Sequence, residues 1–282
     1  SLAGGIKEWM ASGRPTVSSS SLSEEQRTRY ARHIVLPDIG LSGQERLLSA
    51  KVAIVGAGGL GSPAAMSLAA AGIGTLSLID HDVVELSNLQ RQLLHDAADV
   101  GRSKTASGAD RIRGINPEVI VVGHNIRLGA DNALELLSDH DVIVDGTDNL
   151  ATRYLLNDAS LRLHIPVVHG SVFRFEGQLS VFNPYVGPCY RCLFPEPPPA
   201  DLTPNCAEAG VFGVLPGVIG TMQATEVLKL ITGLGTPLVG KLLSYDALDQ
   251  STHVVRLHRD PDCVSCSDES HPPRLREEAE YC

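Results

Sequence analysis

Three glycines follow directly on the apolar run Lys51–Val55, which has the composition of a buried strand. Their G-x-G-x-x-G spacing, at positions 56, 58 and 61, permits a tight turn and a close approach of the backbone to a phosphate. The Ala-rich run Pro63–Ala71 predicts a helix whose N-terminal dipole faces that phosphate. A second β-like run, Thr75–Ile79, ends in Asp80 at the distance of a ribose-binding carboxylate. Together these features predict a nucleotide site.

Polar and cationic residues downstream of Asp80 indicate which nucleotide to expect. The run Ser87-Asn88-Leu89-Gln90-Arg91 and then Lys104 offer groups suited to a triphosphate, which carries more charge than the two-phosphate bridge of a dinucleotide. The sequence therefore favours ATP. A competing interpretation is that Arg91 and Lys104 are surface ion-pair partners.

Carboxylates follow the strand-like run Val142–Asp145, because Asp145 ends it and Asp148 comes three residues later. Open α/β sheets bind ligands at the carboxyl ends of their strands, and such carboxylates can hold magnesium there. The alternative is that Asp148 caps the following helix.

Two Cys-x-x-Cys pairs use four of the six cysteines. Each pair supplies half of a tetrahedral zinc shell. Disulfides are disfavoured in a chain with no export signal, and a thioredoxin-like redox pair needs no duplicate. The spacing predicts one structural zinc that fastens the C-terminal tail and takes no part in catalysis, held by Cys189, Cys192, Cys263 and Cys266.

Of the other two cysteines, Cys282 is expected to be incidental, and Cys206 follows a Pro-rich loop at Pro195–Pro204. A free thiol on a long loop is a candidate nucleophile, although buried, inert cysteines are common.

Composition excludes several classes of protein. The 282 residues are 43% hydrophobic and 20% charged, which is typical of a globular chain and not of a disordered or fibrous one. We expect no membrane span and no signal peptide, and hence a cytoplasmic protein. The formal net charge of -10 argues against nonspecific nucleic-acid binding, which needs a basic surface.

The order of predicted elements indicates an α/β protein with a Rossmann-like doubly wound sheet that antiparallel strands extend. A helix is predicted from Ser23, as its cap, to Leu36. The predicted strands of a nucleotide-binding half, about residues 21–165, are Lys51–Val55, Thr75–Ile79, Val119–Gly123 and Val142–Asp145. In a mixed-sheet, zinc-bearing half, about residues 166–270, antiparallel strands are predicted at Val167–Val172, Gln178–Phe182, Lys241–Tyr245 and His253–Leu257, with a helix near Val218–Ile231.

At these motifs the sequence resembles the MoeB/ThiF adenylyltransferases, which activate ubiquitin-like sulfur-carrier proteins and share their fold with ubiquitin-activating enzymes. The resemblance covers roughly Leu22 to Cys266. It includes Arg29-Tyr30-Ala31-Arg32-His33, the glycine loop, Ile79-Asp80-His81-Asp82, Ser87 to Gln92, Gly101 to Lys104, Ile115-Asn116-Pro117, Gly146-Thr147-Asp148-Asn149, Glu176-Gly177-Gln178, both cysteine pairs and Cys206-Ala207-Glu208-Ala209-Gly210-Val211.

The resemblance implies that the C-terminal glycine carboxylate of a small carrier attacks the α-phosphate of ATP, giving an acyl-adenylate and pyrophosphate before sulfur replaces the adenylate. It implies that Asp80 binds the ribose, that Asn88, Arg91 and Lys104 neutralise the triphosphate, and that Asp148 holds Mg²⁺. The implied nucleotide site is Gly56, Gly58, Gly59, Gly61, Asp80, Asp82, Ser87, Asn88, Leu89, Gln90, Arg91, Lys104, Asp148 and Asn149. The implied catalytic residues are Arg32, Arg91, Lys104, Asp148 and Cys206.

Partners also follow from the resemblance. Arg32 matches an arginine that reaches the active site of the neighbouring subunit, which implies a homodimer. The carrier would end in Gly-Gly, and a rhodanese or a cysteine desulfurase would donate sulfur. The role of Cys206 differs among family members and stays open, as does the pathway: molybdopterin, thiamin, tRNA thiolation or cysteine.

The first sixteen residues resemble the closing helix of a rhodanese domain, so residues 1–20 are interpreted as the end of such a domain and residues 21–282 as the adenylation domain. An expression remnant or a disordered tail is the alternative.

Two rival functions use part of the same pattern. An NAD-dependent oxidoreductase explains the glycine loop and Asp80 but not Arg91, Lys104 and Asp148 together. A non-catalytic binding module predicts that a phosphate-binding or metal-binding residue is missing, and none is.

Overall fold

The computed structural model describes residues 8–9, 11–13, 21–197 and 210–276. The chain divides into two compact units, Ser1–Glu45 and Arg46–Cys282. Within the described residues no helix combines the length and the apolar character that crossing a membrane requires.

In the first unit, the helix predicted from Ser23 to Leu36 is two helices, α1 (Glu24–Arg29) and α2 (Ala31–Ile34). Ser23 is the N-cap of α1 and forms a capping box with Gln26, as the sequence predicts. The single long helix is wrong, because Tyr30 has ψ of 14° and interrupts the helical backbone. Helix α3 (Gly40–Ser49) spans the boundary between the units.

The second unit contains one eight-stranded sheet with the strand order β3-β2-β1-β4-β5-β6-β7-β8. Its strands are β1 (Lys51–Val55), β2 (Thr75–Ile79), β3 (Ile120–His124), β4 (Val142–Asp145), β5 (Val167–Phe173), β6 (Glu176–Phe182), β7 (Lys241–Asp246) and β8 (Ser251–Arg256). The helices are α4 (Gly61–Ala71), α5 (Lys104–Ile115), α6 (Ala133–Leu137), α7 (Leu150–Leu163), α8 (Tyr190–Leu193) and α9 (Leu215–Thr232).

The change from parallel to antiparallel pairing occurs within one strand. β5 pairs parallel with β4 on one side and antiparallel with β6 on the other. The prediction that β5 belongs to the antiparallel set is therefore only half right. Strands β1, β2 and β4 begin and end at the predicted residues, whereas β3 is shifted by one residue. Because β3 is an edge strand without a fully buried residue, its sequence shows little burial pattern.

The central parallel strands β1, β2 and β4 are buried on both faces of the sheet. Val52 and Ile54 of β1 contribute to a core that includes residues of α4 and α9, and the alternate residues Ala53 and Val55 contribute to a core that includes residues of α6 and α7. This two-sided burial explains the near-continuous apolar strands of the sequence. It also fixes the carboxyl ends of β1, β2 and β4 beside one another, where a ligand site is expected.

Candidate active site

A cleft opens at the carboxyl ends of β1, β2 and β4, where the winding of the sheet reverses direction between β1 and β4. The volume of the cleft is about 1050 Å³, counting the solvent at its opening. The predicted nucleotide-site residues that line it are Gly56, Gly58, Gly59, Asp80, Asp82, Arg91, Lys104, Asp148 and Asn149. The structure therefore brings together residues that are up to 93 positions apart in the sequence, from Gly56 to Asn149.

The glycine loop between β1 and α4 is shaped by contacts that leave no room for side chains. Gly56 has φ of 88°, and a Cβ there would lie 2.8 Å from the carbonyl oxygen of Gly146. A Cβ at Gly61 would lie 1.9 Å from the carbonyl oxygen of Gly56. Gly61 does not line the cleft but lets α4 begin directly against the loop. This packing aims the N-terminus of α4 at the loop, as a phosphate site requires.

Asp80 fastens the glycine loop to the end of β2. It is 9% exposed, and its two carboxylate oxygens accept hydrogen bonds of 2.8 Å from the backbone N–H groups of Ala57 and Asp82. Each oxygen retains a second acceptor position. The geometry therefore supports two uses of Asp80, as an anchor for the loop and as an acceptor for a ligand hydroxyl in the cleft.

Lys104 presents a buried positive charge at the cleft. It is the first residue of α5, is 6% exposed, and its Nζ lies 2.8 Å from Oδ2 of Asp82. Burial by itself would raise the pKa of Asp82, but the hydrogen bond and charge of Lys104 outweigh it and lower that pKa. The ion-pair interpretation is thus correct for Lys104, but the pair lies at the cleft with its ammonium buried. A buried cation at a ligand site has a functional use that a surface pair lacks.

Arg91 reaches the cleft from the turn that follows a short 3-10 helix, Leu86–Asn88. Its Nη1 donates to the carbonyl oxygen of Ser87 at 3.1 Å. Asn88 is 8% exposed, and its Oδ1 accepts from the backbone N–H of Glu85 at 3.1 Å. Four predicted nucleotide-site residues of this segment, Ser87, Asn88, Leu89 and Gln90, are not among the described residues that line the cleft. Asn88 instead shapes the turn that carries Arg91.

Asp148 lines the cleft with an exposed side chain. The N-cap of α7 is Asn149, whose Oδ1 accepts from the backbone N–H of Thr152 at 2.8 Å. The helix-capping alternative for Asp148 is therefore wrong, because its neighbour fills that position. The Asp148 carboxylate is left at the mouth of the site as an oxygen donor.

Asp145, the other strand-end carboxylate, is 1% exposed and is absent from the cleft lining. Its Oδ2 lies 2.7 Å from Nδ1 of His169, and its Oδ1 accepts from the hydroxyl of Thr147 at 2.7 Å. The expectation that Asp145 holds magnesium together with Asp148 is wrong, since its oxygens face His169 and Thr147. Nδ1 of His169 donates to that carboxylate, and burial lowers the pKa of the ring although the hydrogen bond and charge of Asp145 oppose the shift.

Arg153 is a cleft residue that the sequence analysis missed. It lines the cleft beside Thr152, and its Nη2 donates to the carbonyl oxygen of Thr147 at 3.1 Å. It lies four residues, about one helical turn, after Asn149, the N-cap with which α7 begins at the cleft. That helical spacing was the available signal. Gln92 and Arg127 line the cleft as well and were also not predicted as site residues.

The four cysteines of the two Cys-x-x-Cys pairs form one cluster. Sulfur-sulfur distances are 3.6 Å for Cys189 and Cys263, 3.8 Å for Cys189 and Cys192, and 3.4 Å for Cys192 and Cys266. All four are free thiols, so the disulfide alternative is wrong. Zn–S bonds of about 2.3 Å in a tetrahedron separate the sulfurs by about 3.8 Å. The cluster is therefore compatible with a four-cysteine metal site, and it does not line the cleft.

Comparison with known proteins identifies the family. The profile of the ThiF family matches residues 30–265, which contain every residue of the cleft. The chain belongs to the ThiF family.

Named relatives share much of this sequence. A sulfur carrier protein adenylyltransferase of Thermus thermophilus is 47% identical over 264 residues, covering 92% of this chain and 96% of the relative. A probable adenylyltransferase/sulfurtransferase MoeZ of Mycobacterium tuberculosis is 50% identical over 247 residues, covering 86% of this chain. The chain spans 63% of the length of that mycobacterial relative.

The ThiF-family fold is also found in solved structures. The crystal structure of E. coli MccB with AMPCPP and MccA has a TM-score of 0.77 at 24% identity, covering 88% of this chain and 76% of MccB. At that identity the likeness concerns the fold alone. It agrees with a mixed sheet in which parallel and antiparallel strands are joined.

The family resemblance also singles out Arg32 and Cys206. Arg32 is an exposed residue of α2, in the first unit. Cys206 lies outside the described residues.

Proposed function

We propose that this ThiF-family protein adenylates the C-terminal glycine of a ubiquitin-like sulfur-carrier protein with ATP, releasing pyrophosphate and preparing the carrier for thiocarboxylate formation. The observation that carries the proposal is the cleft itself, where a glycine loop, the buried ammonium of Lys104, Arg91 and the carboxylate of Asp148 share one space. The Thermus relative, named a sulfur carrier protein adenylyltransferase, supports the same activity.

Phosphate binding would fall to the glycine loop and the two cations. The N-terminus of α4 contributes partial positive charge, and Arg91 and Lys104 add full charges from the part of the chain that follows Asp80. Asp80 would accept a hydrogen bond from a ribose hydroxyl. Because these groups are held in place before the ligand arrives, they need little reorganisation during the reaction.

The chemical step would be an attack of the carrier's terminal carboxylate oxygen on the α-phosphorus. The new bond joins that oxygen to the α-phosphorus, and the bond from the α-phosphorus to the bridging oxygen breaks. Pyrophosphate leaves with that bridging oxygen and the electron pair of the broken bond. Lys104 and Arg91 would stabilise the negative charge that moves onto pyrophosphate. No covalent bond to the enzyme is needed for this step.

Asp148 fits a magnesium site, since it is an exposed carboxylate in the cleft and Mg²⁺ in nucleotide sites binds through one or two carboxylates and the phosphates. When bound, the ion would neutralise phosphate charge. The four-cysteine cluster would hold a structural zinc, because it offers four sulfur ligands and leaves no position for substrate. It would fasten the turn at Cys263 and Cys266 to the start of α8.

The family resemblance supports further proposals about assembly. We propose a homodimer in which Arg32 completes the partner's site, and a cytoplasmic protein that receives sulfur from a rhodanese or a cysteine desulfurase. We also propose that residues 1–20 are the end of a rhodanese domain and that residues 21–282 form the adenylation domain, with its nucleotide-binding half at about 21–165 and its mixed-sheet half at about 166–270.

ATP-pyrophosphate exchange tests the proposed function directly. Exchange is measured with a sulfur carrier that ends in Gly-Gly, with the same carrier lacking its last glycine, and with no carrier. Adenylation predicts exchange only with the intact carrier. A non-catalytic binding module would bind the carrier without exchange, and an oxidoreductase would reduce or oxidise a nicotinamide cofactor. Absence of exchange with a panel of Gly-Gly carriers would refute the proposal.

A further inference from the structure

His95 is a buried histidine close to the cleft for which the proposed function has no assigned use. It is 5% exposed and is absent from the residues that line the cleft. Its Nε2 lies 3.0 Å from the carbonyl oxygen of Ala57, and its Nδ1 lies 2.8 Å from the hydroxyl of Ser107. Because a carbonyl only accepts, Nε2 carries the hydrogen and donates to Ala57. Nδ1 and the Ser107 hydroxyl share the second hydrogen bond of the ring.

Ala57 lies in the middle of the glycine loop, between Gly56 and Gly58. Its peptide N–H is held by Asp80 at 2.8 Å, and its carbonyl oxygen is held by His95. Glycines provide no side chains through which such a loop can be anchored, so its position depends on hydrogen bonds to its peptide groups. Asp80 and His95 therefore anchor the loop at one residue, Asp80 through the N–H of Ala57 and His95 through its carbonyl oxygen.

The other nitrogen of His95 reaches the helix that carries the buried cation. Ser107 lies one turn after Lys104 on α5, and its backbone N–H donates to the carbonyl oxygen of Ser103 at 3.1 Å. His95 itself follows Arg91 by four residues, and its backbone N–H donates to the carbonyl oxygen of Gln92 at 3.2 Å. One imidazole thus bridges three elements, each of which brings a group to the cleft: the glycine loop, α5, and the segment of Arg91.

Burial lowers the pKa of His95, and the charge of Lys104 acts in the same direction. With its hydrogen on Nε2, the neutral ring donates to the carbonyl oxygen of Ala57 and leaves Nδ1 for the Ser107 hydroxyl, which also hydrogen-bonds to the carboxylate of Asp99.

We propose that His95 is a positioning residue that fixes the distance between the glycine loop and Lys104, so that both contact the phosphates of one bound ATP. The proposal rests on the proposed function, since it requires that the cleft binds ATP. It assigns no contact between His95 and the nucleotide. If His95 only filled the core, any side chain of similar volume could replace it. The proposed role instead requires a hydrogen-bond donor at the position of Nε2.

Two amide substitutions separate those requirements. In His95→Gln the amide nitrogen takes the place of Nε2 and restores the donor to Ala57. In His95→Asn the shorter amide reaches only the position of Nδ1 and loses Ala57. His95→Leu removes both bonds at similar volume.

The matched control is His140→Leu. His140 is a half-buried histidine that also contacts a serine hydroxyl, Ser77 at 2.7 Å, and a backbone carbonyl, Leu137 at 3.2 Å. It does not line the cleft.

The measurements are the Kd for a non-hydrolysable ATP analogue, the kcat and KM for ATP in carrier-dependent exchange, and the thermal midpoint. Misplacing reacting groups by about 1 Å costs up to about a hundredfold in rate. We expect His95→Asn and His95→Leu to lose about tenfold to a hundredfold in kcat/KM for ATP. His95→Gln should stay within about fivefold of wild type. His140→Leu should lower the thermal midpoint without changing kcat/KM.

Equal kcat/KM for the Asn and Gln variants would overturn the proposal, as would equal losses in His95→Leu and His140→Leu. If His95→Leu does not fold, the comparison of Asn with Gln still decides. Wild-type protein that binds no ATP analogue would refute the proposed function and, with it, this role of His95. If wild-type protein catalyses exchange and the His95 variants keep its kcat/KM, the role of His95 is refuted and the proposed function stands.

Discussion

Replacing Lys104 by methionine tests whether the buried ammonium acts on substrate or serves only its ion pair. Methionine keeps the length and apolar stem of the side chain and removes the charge. Lys104 is 6% exposed, but the side chain of its partner Asp82 is 52% exposed, so water can solvate the carboxylate that is left behind. The pair therefore stabilises the fold by about 1 kcal/mol at most. We expect the free energy of unfolding of Lys104→Met to change by no more than that.

The effect on catalysis should be larger. Removing one fixed charge from a site where negative charge develops costs about a hundredfold to a thousandfold in rate, or about 3–4 kcal/mol. Carrier-dependent ATP-pyrophosphate exchange should fall by that factor in Lys104→Met. Asp82→Asn, which breaks the same pair but leaves the ammonium in the cleft, should lose less than about tenfold.

Lys51→Met provides the matched control, because Lys51 pairs with Asp139 at 2.6 Å on the surface and does not line the cleft. Its exchange rate should equal that of wild type. The reasoning is refuted if Lys104→Met keeps exchange within about threefold of wild type, a change of less than about 0.7 kcal/mol. It is also refuted if Lys104→Met and Asp82→Asn lose the same amount, because the ion pair would then be the whole role of Lys104.

Four further outcomes are expected. Elemental analysis of protein purified without chelator should find one zinc per chain, and Cys192→Ser should lower both the zinc content and the thermal midpoint, because binding of structural zinc is coupled to folding; zinc-free wild type would contradict this. Arg32→Ala and Asp148→Ala proteins, each inactive alone, should regain part of the exchange activity when their subunits are mixed, because each mixed dimer contains one intact site. Mixed dimers without activity would mean that Arg32 acts in the site of its own subunit or in neither site. Burial lowers the pKa of His140 below its ordinary value of about 6.5, so as the pH falls the unfolded chain takes up the proton first, and the stability that the neutral His140 contributes above that value is lost. Denaturant titrations between about pH 7 and pH 5 should therefore show a smaller decrease in the free energy of unfolding for His140→Gln than for wild type. Equal decreases would contradict this effect of His140. Cys206→Ala should leave pyrophosphate exchange nearly intact while carrier adenylate accumulates in place of thiocarboxylate if the thiol acts after adenylation, and intact-mass analysis of the carrier that shows an unchanged rate of thiocarboxylate formation would exclude such a role.

Local sequence patterns determined the parallel half of the fold closely. Strands β1, β2 and β4 lie where their apolar runs predict, because strands buried on both faces must be apolar throughout. The glycine spacing and the two Cys-x-x-Cys pairs are also local, and each specifies a backbone or ligand geometry over a few residues. These patterns predicted that Gly56, Asp80 and Lys104 belong to one site.

Tertiary structure alone decided how each polar group is used. The strand-end pattern by itself does not separate Asp145 from Asp148, which only the family resemblance singles out, yet one is buried against His169 and the other lines the cleft. The bond from His95 to Ala57 joins residues 38 positions apart. Such pairs depend on how helices and strands pack, since a side chain's partner is set by distance in space and the sequence records only distance along the chain. The motifs therefore specified part of the cleft, and packing decided which further residues line it, which of them face a ligand and which hold the others in place.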